Sequence, residues 1–78
     1  TGDGSLLVDA RLSVEALSDL IGVELPDEEW DTVGGLVLGL AGRVPHVSET
    51  FEVEGVMLTA TRVQGRRVAQ VSVTPPNA

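Results

Sequence analysis

The sequence predicts an α+β domain in which two short helices pack on one face of a four-stranded, mainly antiparallel sheet. The chain order is strand, helix, helix, then three strands. Three observations lead there. Apolar residues alternate at period two from Leu6 to Ala10. They recur at helical spacing in two later stretches, and they return to period two after Pro45. Two amphipathic helices on one side of such a sheet bury the apolar side of every element.

The first strand reads Leu6, Val8 and Ala10 to one side and Leu7, Asp9 and Arg11 to the other. Ser13 follows as a helix N-cap, and Glu15 places a negative charge at the positive end of the helix dipole. Val14, Leu17, Leu20 and Ile21 then form an apolar stripe, and Gly22 supplies a left-handed stop. The first helix therefore spans 14–21. The connector from Val23 to Trp30 holds Pro26 before three acids, a pattern that allows a single helical turn with proline at its first position.

Asp31 or Thr32 caps the second helix. Its apolar face is Val33, Leu36, Val37, Leu40 and Ala41; Gly42 ends it, and Pro45 forbids its continuation. Gly34, Gly35 and Gly39 each weaken it by about 1 kcal/mol relative to alanine. Packing must recover that loss, so they mark a helix lying close against the sheet.

Beyond Pro45, a strand over 49–54 presents Phe51 and Val53 inward, and Gly55 turns it. The next strand carries Val56, Leu58 and Ala60 on one face. A two-residue loop at Gln64 and Gly65 sets Val56 opposite Val73, Leu58 opposite Val71 and Ala60 opposite Ala69. That register leaves Arg62 facing Arg67, an unfavourable pair of like charges. By this reading residues 1–4 are a lead-in, 5–73 the domain and 74–78 a frayed tail. The polar opening without a start methionine reads as a piece of a longer chain.

Composition excludes several functions. Twelve Asp and Glu stand against five Arg and no Lys, a net charge of −7. That field disfavours nucleic acid and anionic lipid. No cysteine is present, which removes disulfides, thiolate metal sites and a cysteine nucleophile. The longest uncharged apolar stretch, 32–42, is too short to cross a bilayer. The 25 Leu, Ile, Val and Phe residues suffice for one small core. One histidine and no tyrosine leave little for acid–base chemistry, and no serine has a histidine in triad order. The chain is expected not to be an enzyme.

The acids Glu24, Asp27, Glu28, Glu29 and Asp31 form the densest charge feature. Asp27, Glu28 and Asp31 are the candidates for a divalent-cation site, since hard cations take several oxygens. The spacing is not that of an EF-hand, and the competing reading is a solvated connector before a helix N-terminus. Gly34-Gly35 at a helix start could cradle an anion, although close packing explains it better. His46 reads as a loop residue. Trp30 reads as an anchor of the connector over the core. Arg62, Arg66 and Arg67 read as a basic hairpin tip, solvated or docked to an acidic surface.

With these residues in place, the chain resembles the CorC/HlyC transporter-associated domain. The resemblance rests on Asp3-Gly4-Ser5-Leu6-Leu7-Val8-Asp9-Ala10, on the helix from Val14 to Gly22, and on Leu25 to Val37, of which Thr32 to Val37 is the most specific part. Gly42-Arg43-Val44-Pro45 and Arg67 to Val73 complete it. It covers about residues 3–73. It implies the C-terminal domain of a magnesium and cobalt transporter, often labelled a hemolysin, with transmembrane helices and a cytosolic CBS pair upstream. The implied role is non-catalytic modulation of ion transport at the cytosolic face of the membrane. The implied partners are the CBS pair and transmembrane domain of the same chain, with a homodimer left open and no nucleic acid. The implied fold is similar to part of the PCMH-type FAD-binding domains. That likeness raises a flavin- or nucleotide-binding module as the alternative, but one Trp, one Phe and the negative charge argue against it, so no cofactor is expected beyond a candidate divalent cation. Ser48 departs from the family pattern, which usually has glycine at that turn.

Overall fold

The computed structural model describes residues 4–26 and 28–76. The elements are β1 (Leu6–Asp9), α1 (Val14–Ile21), α2 (Val33–Ala41), β2 (Thr50–Val53), β3 (Val56–Gln64) and β4 (Arg67–Thr74). They form one antiparallel sheet in the order β1-β4-β3-β2. The predicted class and element order hold, with the helices against one face. Leu17, Leu36 and Leu58, together with Val14, Val33, Val37, Val56, Val71 and Val73, are fully enclosed between helices and sheet. Burial of such side chains stabilises by about 1.5–3 kcal/mol each. Leu20 was expected in this stripe but is 65% exposed. At eight residues α1 commits Val14 and Leu17 to the core, and Leu20 falls beside them.

Both helices begin and end where their caps dictate. The Ser13 hydroxyl accepts from the Ala16 amide, and the Thr32 hydroxyl accepts from the Gly35 amide. Gly22 and Gly42 close the helices in the left-handed region, at φ 71° each. The two caps also pair with each other. Ser13 and Thr32 form an antiparallel bridge, in which the Val14 amide donates to the Asp31 carbonyl and the Val33 amide to the Leu12 carbonyl. The helix starts therefore lie side by side. Between them, Ser18 Oγ donates to the Val14 carbonyl and accepts from the Leu25 amide, which ties the connector to α1.

Of the three glycines of α2, one does the expected job and two do another. A Cβ on Gly34 would lie 2.8 Å from Ala10 Cβ and 3.1 Å from the Ala10 carbonyl oxygen, so here the helix does touch the end of β1. Gly35 and Gly39 face away from the sheet. The Trp30 ring lies over them, so close that a Cβ on Gly39 would overlap the indole. Trp30 thus packs against the core, as expected of an anchor for the connector, and clamps the outer side of α2 as well. Of the turn expected after Pro26, Glu28 and Glu29 sit in bends, and Asp27 lies outside the described residues.

The β3–β4 loop is Gly65-Arg66, one residue later than predicted. Leu58 therefore opposes Val73 and Ala60 opposes Val71. This moves the pairing by two residues, which keeps Leu58, Ala60, Val71 and Val73 on the predicted face; nearer the loop Val68, rather than Ala69, enters the core. The shift also removes the clash of like charges, because Arg62 now meets Gln70 and Arg67 meets Gln64. Two register irregularities flank Arg62. β4 runs to Thr74, which pairs with Met57.

The strand read as 49–54 is shorter, 50–53, because turns take both ends. Glu54 and Gly55 both have positive φ, as a type I′ hairpin turn requires. At the other end the Glu49 amide donates to the His46 carbonyl, with Ser48 at φ 76°. This is a type II turn with serine where glycine is favoured. The Ser48 amide donates to the Ala60 carbonyl and the Ala60 amide to the Glu49 carbonyl, so Ser48 also occupies the glycine position of a G1-type bulge.

Candidate functional site

Charge is sorted to the two ends of β3. At the end near the β2–β3 turn, a groove of about 730 Å³ is lined by Glu15, Asp19, Glu24, Glu28 and Glu54, with no basic residue. At the end near the β3–β4 turn, a groove of about 420 Å³ is lined by Arg11, Arg62 and Arg67, with Asp9, Gln64 and Gln70. The strand between them spans roughly 25–30 Å at the usual rise per residue, close to the longest dimension of the domain, 31 Å.

Of the predicted cation ligands, Glu28 lines the acidic groove. Asp31 is exposed and does not line it; its carbonyl serves the cap bridge instead. Asp27 lies outside the described residues. Among the described residues no three His, Cys, Asp or Glu side chains come close enough to hold a metal ion. Among the described residues the acidic groove is a spread of separate carboxylates. Glu15, Asp19 and Glu54 join it from α1 and the hairpin turn. No local motif marks them, since only tertiary packing brings residue 54 beside residues 15–28.

The anion cradle suggested by Gly34-Gly35 is closed by the chain itself. The Val33, Gly34, Gly35 and Leu36 amides donate to the Leu12 carbonyl, the Ala10 carbonyl, the Thr32 hydroxyl and the Thr32 carbonyl, respectively. No donor of that first turn remains for a ligand. Among the described residues, no buried side-chain nitrogen or oxygen lacks a hydrogen-bond partner.

Two ion pairs have defined geometry. Arg43 grips Glu49 with both terminal nitrogens, one at 3.0 Å from Oε1, and the His46 amide donates to the same Oε1 at 3.0 Å. These contacts, the guanidinium first, lower the Glu49 carboxyl to about 2 and raise Arg43 above its usual range. His46 therefore acts through its backbone, bracing the loop ahead of β2. In the basic groove, Arg11 Nε donates to Asp9 Oδ1 at 3.2 Å, and the Arg11 amide donates to the same oxygen at 2.8 Å. Asp9 is lowered chiefly by these two bonds, with a smaller contribution from Arg67. Arg62, Arg66 and Arg67 enter no ion pair among the described residues. Arg11 was not grouped with them from sequence; its place becomes clear only once β1 is known to lie beside β4.

A family model described as the transporter associated domain CorC_HlyC matches residues 1–77. The magnesium and cobalt efflux protein CorC of Salmonella typhimurium is 37% identical over 68 residues, which cover 87% of this chain and 23% of that protein. This chain thus spans about a quarter of that relative. A transporter associated domain from a Xylella fastidiosa hemolysin, solved in complex with Mg++ and Mn++, superposes with a TM-score of 0.83 at 28% identity, covering 96% of this chain and 91% of that one. The transporter associated domain of a CBS domain protein from Porphyromonas gingivalis gives 0.82 at 27% identity, covering 96% and 92%. No helix among the described residues is long and apolar enough to cross a membrane. A match over nearly the whole chain, with the fold to go with it, places this protein in the CorC/HlyC transporter-associated domain family.

Proposed function

We propose that this domain is a non-catalytic regulatory appendage of a membrane transporter for magnesium or cobalt, held at the cytosolic face and docked against the CBS pair and membrane part of its own chain. The observation that carries this reading is the family match across residues 1–77. The interior supports it. The core is hydrophobic, the first amides of α2 are used by the fold, and the polar features lie in open surface grooves. Such a domain influences its neighbours through contact and field rather than bond making.

The test is transport by the full-length parent in membrane vesicles. Deleting residues 5–73 is expected to change the dependence of efflux on metal concentration while the membrane part still inserts. Unchanged efflux at every metal concentration overturns the reading. Reversing the charge of the acids in 24–31 is expected to alter transport at low salt; no change there removes the electrostatic part alone.

A second reading is favoured by the acidic groove and by the Mg++ and Mn++ complex of the Xylella relative. In it, the field around Asp27, Glu28 and Asp31 gathers divalent cations weakly, without a fixed coordination shell. Titration with magnesium or manganese checks this by amide shifts over residues 24–31. No shift at millimolar metal eliminates it.

A further inference from the structure

The basic groove has no assigned role, and its composition is at odds with the rest of the chain. Three of the five arginines line it, against a single aspartate, in a protein of net charge −7. Arg11 is the one already paired, with Asp9. Arg62 and Arg67 are exposed and have no ion-pair partner among the described residues, although the chain holds twelve acids. Those of the acidic groove lie at the far end of β3, beyond reach of a side chain.

The groove is also shaped by the backbone. Leu7, Asp9, Gln70 and Arg62 come from three adjacent strands, through the pairs Asp9↔Gln70 and Arg62↔Gln70. The register irregularities on both sides of Arg62 increase the local twist there. The groove thus forms against the sheet face that the helices leave open. Gln64, Gln70 and the β1 edge add neutral hydrogen-bonding groups between the guanidinium groups. Guanidinium forks match carboxylates well, and charge complementarity sets the partner more than area does.

We infer that the groove formed by Arg11, Arg62 and Arg67 is a docking surface for an acidic peptide segment, one that carries at least two Asp or Glu carboxylates on an extended chain. The acidic peptide is the occupant that the field favours. A phosphate polymer or an anionic membrane would bring a dense negative array against the whole −7 domain, whereas a short peptide can place two carboxylates in the positive groove and leave the acidic end untouched. This gives chemical content to the docking reading above, and it can fail independently because its test involves no transport.

The experiment titrates the 78-residue domain with a polyglutamate peptide at low and at physiological salt, followed by amide and arginine side-chain shifts. Shifts are expected at Arg11, Arg62, Arg67 and Gln70. The double variant Arg62→Glu/Arg67→Glu should weaken binding at least about tenfold at low salt. Arg66→Glu, at the loop but outside the groove, should weaken it by less than about threefold. Circular dichroism confirms that each variant is folded, and Arg62→Gln/Arg67→Gln repeats the test without added negative charge. Shifts confined to other surfaces, equal losses in the Arg66 and groove variants, or polyphosphate binding the groove as tightly as polyglutamate would each overturn the inference.

Discussion

Leu58 and Thr59 are neighbours on β3, yet they live in different molecules as far as energetics is concerned. Leu58 points under the helices and is fully buried. Thr59 lies on the open face, where its hydroxyl meets that of Thr50 at 2.9 Å. The same alternation runs across the sheet. Val71 and Val73 of β4 are enclosed, while Gln70 before them and Ser72 between them are only half-buried. The covered face holds the fold together. The open face carries hydrogen-bonding and charged groups, outside the core.

The sharpest way to break this comparison is to truncate both neighbours. Leu58→Ala should cost about 2–5 kcal/mol, through lost burial and a residual cavity. Thr59→Ala should cost about 0.2–1 kcal/mol, the scale of a cross-strand pair. Urea denaturation measures both, and similar losses would mean that the open face is structural too. The next largest effect compares two glycines of α2. Gly34→Ala drives a methyl into Ala10 and should destabilise by about 1–3 kcal/mol. Gly39→Ala gains about 1 kcal/mol of helix propensity while pushing Trp30 off the helix. Its net change should therefore be smaller, with tryptophan emission shifted to the red.

A smaller effect of opposite sign is expected at the turn before β2. Ser48→Gly should stabilise by up to about 1 kcal/mol, read as a higher denaturation midpoint, because glycine accepts the left-handed φ without strain. The last prediction concerns protons. The Glu49 carboxyl sits at about 2 when folded, below its ordinary value. The stability it brings is complete above the usual carboxylate range and is lost as pH falls toward about 2. Arg43→Ala should return Glu49 toward its ordinary titration, read from its carboxyl carbon shift. An unchanged midpoint would mean that the His46 amide alone holds it down.

Much of the fold was legible because local chemistry and packing agree. Ser13, Gly22 and Gly42 mark helix ends to the residue, and Thr32 was one of two candidate caps with Asp31, since each cap is a property of a few adjacent atoms. The pairing of β3 with β4 was legible as to face from Leu58 to Ala60 and Val71 to Val73 but not as to register, because faces repeat every two residues and only the turn breaks the tie; the irregularities at Arg62, which bring Val68 into the core, left no sign in the alternation. The like-charge clash of Arg62 with Arg67 was the available signal that the loop lay one residue later. Gly35 and Gly39 were legible as close-packing positions but not as the seat of Trp30, which reaches them from a connector without periodicity. The charged grooves were hardest to read. Glu54 joins Glu15, and Arg11 joins Arg67, only after the strand order β1-β4-β3-β2 is known.

The bridge between Ser13 and Thr32 has a dynamic consequence. Each helix donates its first amide to a carbonyl on the segment leading into the other, Val14 to Asp31 and Val33 to Leu12. Neither helix start can fray without releasing a bond that its neighbour depends on. The Val14 and Val33 amides should therefore exchange with deuterium at similar rates, as one cooperative unit, where helices with separate starts would open one at a time.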